Sequence, residues 1–202
     1  MHSSTFLFSL LAASASALPA TGMLAKAIMA RAPPEANVVI NSITYSGAGC
    51  PDADVASQVS VDKTVAVFLY DANLVSTADP GTVKCALNLD ISVVAGWKYG
   101  VGKSIDVAGY ASTQVGVQAG VDVKLTTSTG SFTWATPLGT SLAPTEQDVH
   151  IHLSRPDSGP WSAPGGGLST LETAITIDPK SSGNTGVLIL DTLTSTLEYK
   201  KV

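Results

Sequence analysis

The sequence predicts an all-β fold, an antiparallel β-sandwich of about nine or ten strands carrying one disulfide. Three observations lead there. Short stretches alternate apolar and polar residues at a period of two, as half-buried strands do. Turn signals rich in Gly, Pro, Asn and Ser separate them, and no segment of useful length inside the domain repeats at the helical period of 3.6. The chain also contains two cysteines, Cys50 and Cys85.

The first residues read as a targeting segment rather than as fold. Phe6 to Ala13 is a short apolar run, well below the roughly 18 residues of a membrane span. Ala15-Ser-Ala17 follows as a small-x-small cleavage site, so residues 1–17 are expected to be a signal peptide, although no Lys or Arg precedes the run. Residues 18–36, ending in Arg31-Ala-Pro-Pro34 and Glu35-Ala36, read as a propeptide or flexible N-terminal arm. A single folded domain is expected over residues 37–202. Without the first 17 residues the chain keeps 185 of its 202, enough for one sizeable core.

Charge narrows the partners. Sixteen acidic against eleven basic residues give a net charge of −5, which argues against nucleic acid and anionic membrane, since both attract basic surfaces. Only 13% of residues are charged, so the exterior must rely on Ser, Thr, Asn and Gly. Such a surface suits an extracellular β protein and is compatible with carbohydrate contact. The expected location is secreted and extracellular, where two cysteines pair with each other. A Cys50–Cys85 bridge closes a loop of about 35 residues, worth roughly 3–4 kcal/mol if it acts through chain entropy.

The elements follow in order. Val39, Ile43 and Tyr45 alternate with polar residues as a strand, and the chain then turns at Gly47-Ala-Gly49 into Cys50-Pro51. Thr64 to Tyr70 is apolar on both faces, the pattern of a central strand covered on each side. Cys85, Leu87, Leu89, Ile91 and Val93 share one face, which turns Cys85 inward and predicts a buried bridge. Ile105 to Thr113 alternates more weakly. Val115, Val117, Ala119, Val121, Val123 and Leu125 form the cleanest stripe, with a bulge or bend expected near Gly116, Ala119 and Gly120. Further strands are expected at 131–135, 148–154, 171–178, 186–191 and 193–201, the last two forming one bent strand or two. Ser181 to Gly186 reads as a turn between strands, and Pro156 to Gly167 as a long irregular surface loop.

Candidate sites are few. Gly96 to Ser104 resembles a phosphate loop superficially, but Trp97 occupies the position where that motif needs glycine and no helix follows, so it reads as a turn between strands. His150-Ile-His152 is sharper: residues two apart on a strand point the same way, and two imidazoles can hold Zn²⁺ or Cu²⁺, with Asp148 or Glu146 as a third ligand. The competing reading is a solvated polar face. Asp52 and Asp54 could join a calcium loop, though such pairs more often cap turns. Asp90, Asp106, Asp122 and Glu172 stand on separate strands and nominate no catalytic pair, and no Gly-x-Ser-x-Gly elbow is present. Tyr45, Trp97, Tyr99, Tyr110, Trp134 and Trp161 are the aromatics able to stack on a sugar ring. Trp97 and Tyr99, sharing a turn and a side, are the candidate platform, against the alternative that they plug an end of the sandwich.

Ile43-Thr-Tyr-Ser-Gly-Ala-Gly-Cys-Pro51, Lys84-Cys-Ala-Leu-Asn-Leu-Asp-Ile91, and Ile105-Asp-Val-Ala-Gly-Tyr-Ala111 running into Gly116-Val-Gln-Ala-Gly-Val121 resemble the family named domain of unknown function 4360. The resemblance extends from about Asn37 to the C-terminus. It implies a small secreted protein, of a group largely fungal, with a Cys50–Cys85 disulfide. Relatives often carry a second cysteine pair, for which Ala163-Pro164 and Lys200-Lys-Val202 stand here. It implies no catalytic residue.

The resulting expectation is a secreted, non-catalytic β-sandwich acting at a cell wall or a host or other extracellular surface, through cell-wall polysaccharide or an extracellular protein. It needs no cofactor. The alternatives are a metal-dependent extracellular enzyme using His150 and His152, and a secreted effector.

Overall fold

Period-two alternation becomes eleven antiparallel strands in the computed structural model, which describes residues 32–51, 55–70, 74–78, 81–140, 145–180 and 183–202. The expected signal peptide, residues 18–31 of the expected arm, and Asp52 and Asp54 lie outside the described residues. In chain order the strands are β1 (Val39–Ser46), β2 (Val55–Val59), β3 (Val65–Tyr70), β4 (Leu74–Ser76), β5 (Gly81–Ser92) and β6 (Trp97–Thr113). They continue as β7 (Val117–Thr127), β8 (Gly130–Thr140), β9 (Thr145–Ser154), β10 (Gly166–Pro179) and β11 (Gly186–Lys201). Among the described residues a 3-10 turn, Pro34–Ala36, precedes them; its Ala36 is buried.

The strands form two sheets, ordered β1-β5-β10-β7-β8 and β2-β3-β11-β6-β9, with β4 also pairing β11. Inward rows from both sheets make one core: Leu87, Leu89 and Ile91 on β5, Val121, Val123 and Leu125 on β7, Phe68 on β3, Ile105 and Val107 on β6, and Leu188, Leu190 and Leu193 on β11. Each such side chain contributes roughly 1.5–3 kcal/mol by leaving water. The disulfide is present, with Cα atoms of Cys50 and Cys85 5.2 Å apart and both residues fully buried. It ties the turn after β1 onto β5. Gly47 makes that approach possible: its φ is +120°, and a Cβ there would sit 2.4 Å from the Lys84 carbonyl oxygen. The Gly49 amide donates to the same oxygen at 2.8 Å.

Several expectations are corrected. On β3 only Ala66, Phe68 and Tyr70 are buried while Leu69 is 49% exposed, because a two-layer sandwich covers one face of each sheet and leaves the other to solvent. On β1 a bulge at Asn41 shifts the register, so Ile40, not Val39, joins Ile43 and Tyr45 against the core. Residues 97–104 are not a turn; they open the seventeen-residue strand β6, hydrogen-bonded to the end of β11. The bulge foreseen on β7 lies opposite Ala119 and Gly120, where β8 accommodates Leu138 as the extra residue. The last two expected strands are one, β11, bulged at Asp191. Residues 156–165 are irregular as expected but not all superficial, since Ser162 is 2% exposed and bonds Tyr99 through both its amide and its hydroxyl. Strands β2 and β4 carry too few alternating residues to stand out in the sequence.

Candidate functional site

Three neighbouring strands, β9, β6 and β11, build the site on the outer face of the second sheet. On β9 Val149, Ile151 and Leu153 point inward, which turns Asp148, His150 and His152 out to solvent. Register then sets their neighbours. His152 lies opposite Asp106, His150 opposite Ala108 and Asp148 opposite Tyr110 on β6. Across β6, Asp106 meets Thr194, Ala108 meets Thr192 and Tyr110 meets Ile189 on β11.

His152 Nδ1 and Asp106 Oδ1 are 2.6 Å apart. The acid brought to an imidazole is therefore Asp106, from the adjacent strand, where the sequence pointed to Asp148 or Glu146. Among the described residues, no three His, Cys, Asp or Glu side chains converge on one point. His150, His152, Asp106, Thr192 and Thr194 surround a shallow depression floored by Ala108, whose small side chain leaves room between taller neighbours. Farther along the same face, Ser112, Gln114, Glu146 and Thr185 line a polar cleft of about 620 Å³. Within it Gln114 Oε1 accepts the Thr185 amide at 3.0 Å. From Glu146 to His152 the outward side chains run about 20 Å at ~3.3 Å per residue.

The aromatic residues distribute differently from expectation. Trp97 and Tyr99 do share a side, but it is the inner one, because they lie on β6 rather than on a turn. Tyr99 is fully buried, its hydroxyl bonded to the Gly167 carbonyl at 2.6 Å and to Ser169 Oγ at 2.8 Å, and Trp97 packs against the core. Burial pushes the Tyr99 phenol up to about 12, with the nearby Asp90 charge adding to it and the Ser169 hydrogen bond opposing it. Trp134 is buried and Tyr45 packs on the core. Trp161 lies over the Arg155 guanidinium, 5.0 Å from its ring centre. Tyr110 alone of the six stands on the outer face beside the histidines.

Arg155 falls between the strand expected at 148–154 and the loop that opens at Pro156, and no sequence motif singles it out. Its side chain is 1% exposed; Nε donates to the Val101 carbonyl at 3.1 Å and Nη2 pairs with Glu198 at 3.2 Å. Burial lowers its pKa, opposed by Glu198 and Asp157. Gly100 and Gly159 give the guanidinium its space, since a Cβ on either would come within 2.8 Å of the arginine side chain. This group pins the 156–165 loop and offers no open ligand surface. Asp106 could be placed outward from its strand alternation, yet its pairing with His152 depends on cross-strand register, which no local signal encodes.

Residues 36–201 match the family described as Domain of unknown function (DUF4360). The chain belongs to that family. A relative by sequence, named "Uncharacterized secreted protein" from Arthroderma benhamiae, is 26% identical over 170 residues, covering 80% of this chain and 68% of the relative. Among solved structures, TmCBM61 in complex with β-1,4-galactotriose aligns at a TM-score of 0.23 and 11% identity, covering 80% of the DUF4360 chain and 90% of that one. A structure described as carbohydrate-binding modules from the β-sandwich superfamily aligns at a TM-score of 0.29 and 14% identity, over 79% of this chain and 57% of that one. At such scores these likenesses carry no argument about the ligand of the DUF4360 chain. Among its described residues no helix is long and apolar enough to cross a membrane.

Proposed function

We propose that this protein is exported and acts outside the cell as a non-catalytic binding sandwich, taking a hydroxyl-rich glycan chain such as a cell-wall polysaccharide along the outer face of β9, β6 and β11. The observation that carries this reading is the unbroken outward strip from Glu146 and Ser112 through Asp148 and Tyr110 to the His150–His152–Asp106 depression. It alternates hydrogen-bonding groups with one aromatic ring and apolar Ala108, the mixture that a sugar's hydroxyl edges and C–H faces engage. Export is supported by the buried disulfide, which belongs to an oxidising compartment, and by the name of the Arthroderma relative.

The test is a glycan array and a pull-down on insoluble cell-wall polysaccharide, both with chelator present. Wild-type protein is retained, and Tyr110→Ala reduces retention by roughly 2- to 12-fold, in line with about 0.5–1.5 kcal/mol for an aromatic contact. A blank array together with an empty pull-down overturns the glycan reading, and a Tyr110→Ala variant retained as well as wild type moves the site elsewhere.

A further inference from the structure

At one end of the same outward strip, one cluster has the chemistry of a coordination site. His150 and His152 occupy alternate positions of one strand with the same outward orientation, their Cα atoms about 7 Å apart at ~3.4 Å per residue. Imidazoles on such a spacing can turn toward one ion at bond lengths of about 2.1 Å. Asp106 adds the feature that distinguishes this pair from two unrelated surface histidines. Its carboxylate holds His152 through Nδ1 at 2.6 Å, which fixes the ring and leaves Nε2 as the nitrogen turned away from the acid. A carboxylate behind a histidine is the arrangement that orients imidazole ligands and raises their basicity toward a metal.

We infer that His150 and His152 together chelate a divalent late transition-metal ion, with Asp106 as the positioning residue for His152. Two nitrogen donors leave the remaining coordination positions to water or to a ligand oxygen. Among the described residues no third His, Cys, Asp or Glu converges with them. The preference follows the ordinary order for nitrogen sites, Cu²⁺ above Ni²⁺ and Zn²⁺. Thr192 and Thr194, on the opposite wall of the depression, offer only neutral hydroxyls, so Asp106 is the charged group nearest the ion. This inference is independent of glycan binding: it is read without sugar, and the glycan test is read with chelator.

The experiment is calorimetric titration of the untagged, disulfide-intact protein with Cu²⁺ and with Zn²⁺, paired with electron paramagnetic resonance of the Cu²⁺ form. One ion binds per chain, and the spectrum shows coupling to two imidazole nitrogens. His150→Ala and His152→Ala each weaken binding at least ~10-fold, and Asp106→Asn weakens it by about 10-fold while keeping two nitrogens in the spectrum. All three residues lie at the surface, and circular dichroism confirms that the variants fold. Equal uptake by wild type and the His150→Ala/His152→Ala variant overturns the site. Unchanged affinity in Asp106→Asn overturns the positioning role.

Discussion

The backbone of Gly109 runs so close to Ile189 that a Cβ on the glycine would lie 2.1 Å from the Ile189 carbonyl oxygen. This contact sits in the β6–β11 ladder beside the bulge at Asp191, at the centre of the six-stranded sheet. Neither backbone can yield without breaking the ladder. Gly109→Ala is therefore expected to lower stability by about 3 kcal/mol or more. Gly120→Ala is the control, because its nearest neighbours would stand 3.8 Å away, and it should change stability by less than about 1 kcal/mol. Guanidinium unfolding of both variants checks the contrast.

Removing the bridge should cost stability without opening the fold. The Cys50→Ala/Cys85→Ala variant is expected to lose roughly 3–4 kcal/mol, read from its guanidinium midpoint. Because both sulfurs are fully buried, thiol trapping after mild reductant should find the native protein still oxidised. Rapid reduction under native conditions would contradict that burial.

Alkali should unfold the protein through its phenols. Burial raises the pKa of Tyr70, Tyr99 and Tyr199, Tyr99 to about 12. The folded state thus keeps protons that an unfolded tyrosine releases near 10, so stability is intact below pH 10 and falls as pH rises from 10 toward 12. Absorbance at the phenolate band should rise together with loss of circular dichroism for these three groups. Tyr99→Phe should be less stable at pH 7, by about 1 kcal/mol for the lost hydrogen bonds, and should lose stability less steeply above pH 10. Phenolate formation in a protein still fully folded at pH 11 would contradict this account.

Arg155 should resist even a charge-conserving change. Arg155→Lys keeps one positive charge but cannot reach the Val101 carbonyl, Glu198 and the face of Trp161 together. A loss of about 2–3 kcal/mol is expected, with a shift in Trp161 emission as the loop loosens. Unaltered stability would show that the guanidinium is not what holds the 156–165 segment.

Much of the architecture could be read from local pattern. The inward rows of β5 and β7 and the inward direction of Cys85 follow from strict alternation, which a half-buried strand enforces. Alternation fails where a single extra residue resets it: Asn41 moved Val39 to the outside, and Asp191 kept β11 whole through what resembled a break. Trp97 and Tyr99 were misplaced for a related reason. Glycine-rich residues 96–102 resemble a turn, but in β6 Gly100 admits Arg155 and Trp161 from the neighbouring loop. The site was half legible, since the two histidines share a face by spacing alone. Asp106 reaches His152 through the pairing of residues more than forty positions apart, a relation set only once β6 and β9 have paired.

Strand β11 is flanked by β3 and β4 on one side and by β6 on the other, so the middle rail of its sheet comes from a segment that follows all the strands it joins in chain order. A nascent chain that has not yet released residues 186–201 can line up β3 and β6 with nothing between them. The six-stranded sheet therefore closes only when β11 docks, however early its other strands have formed.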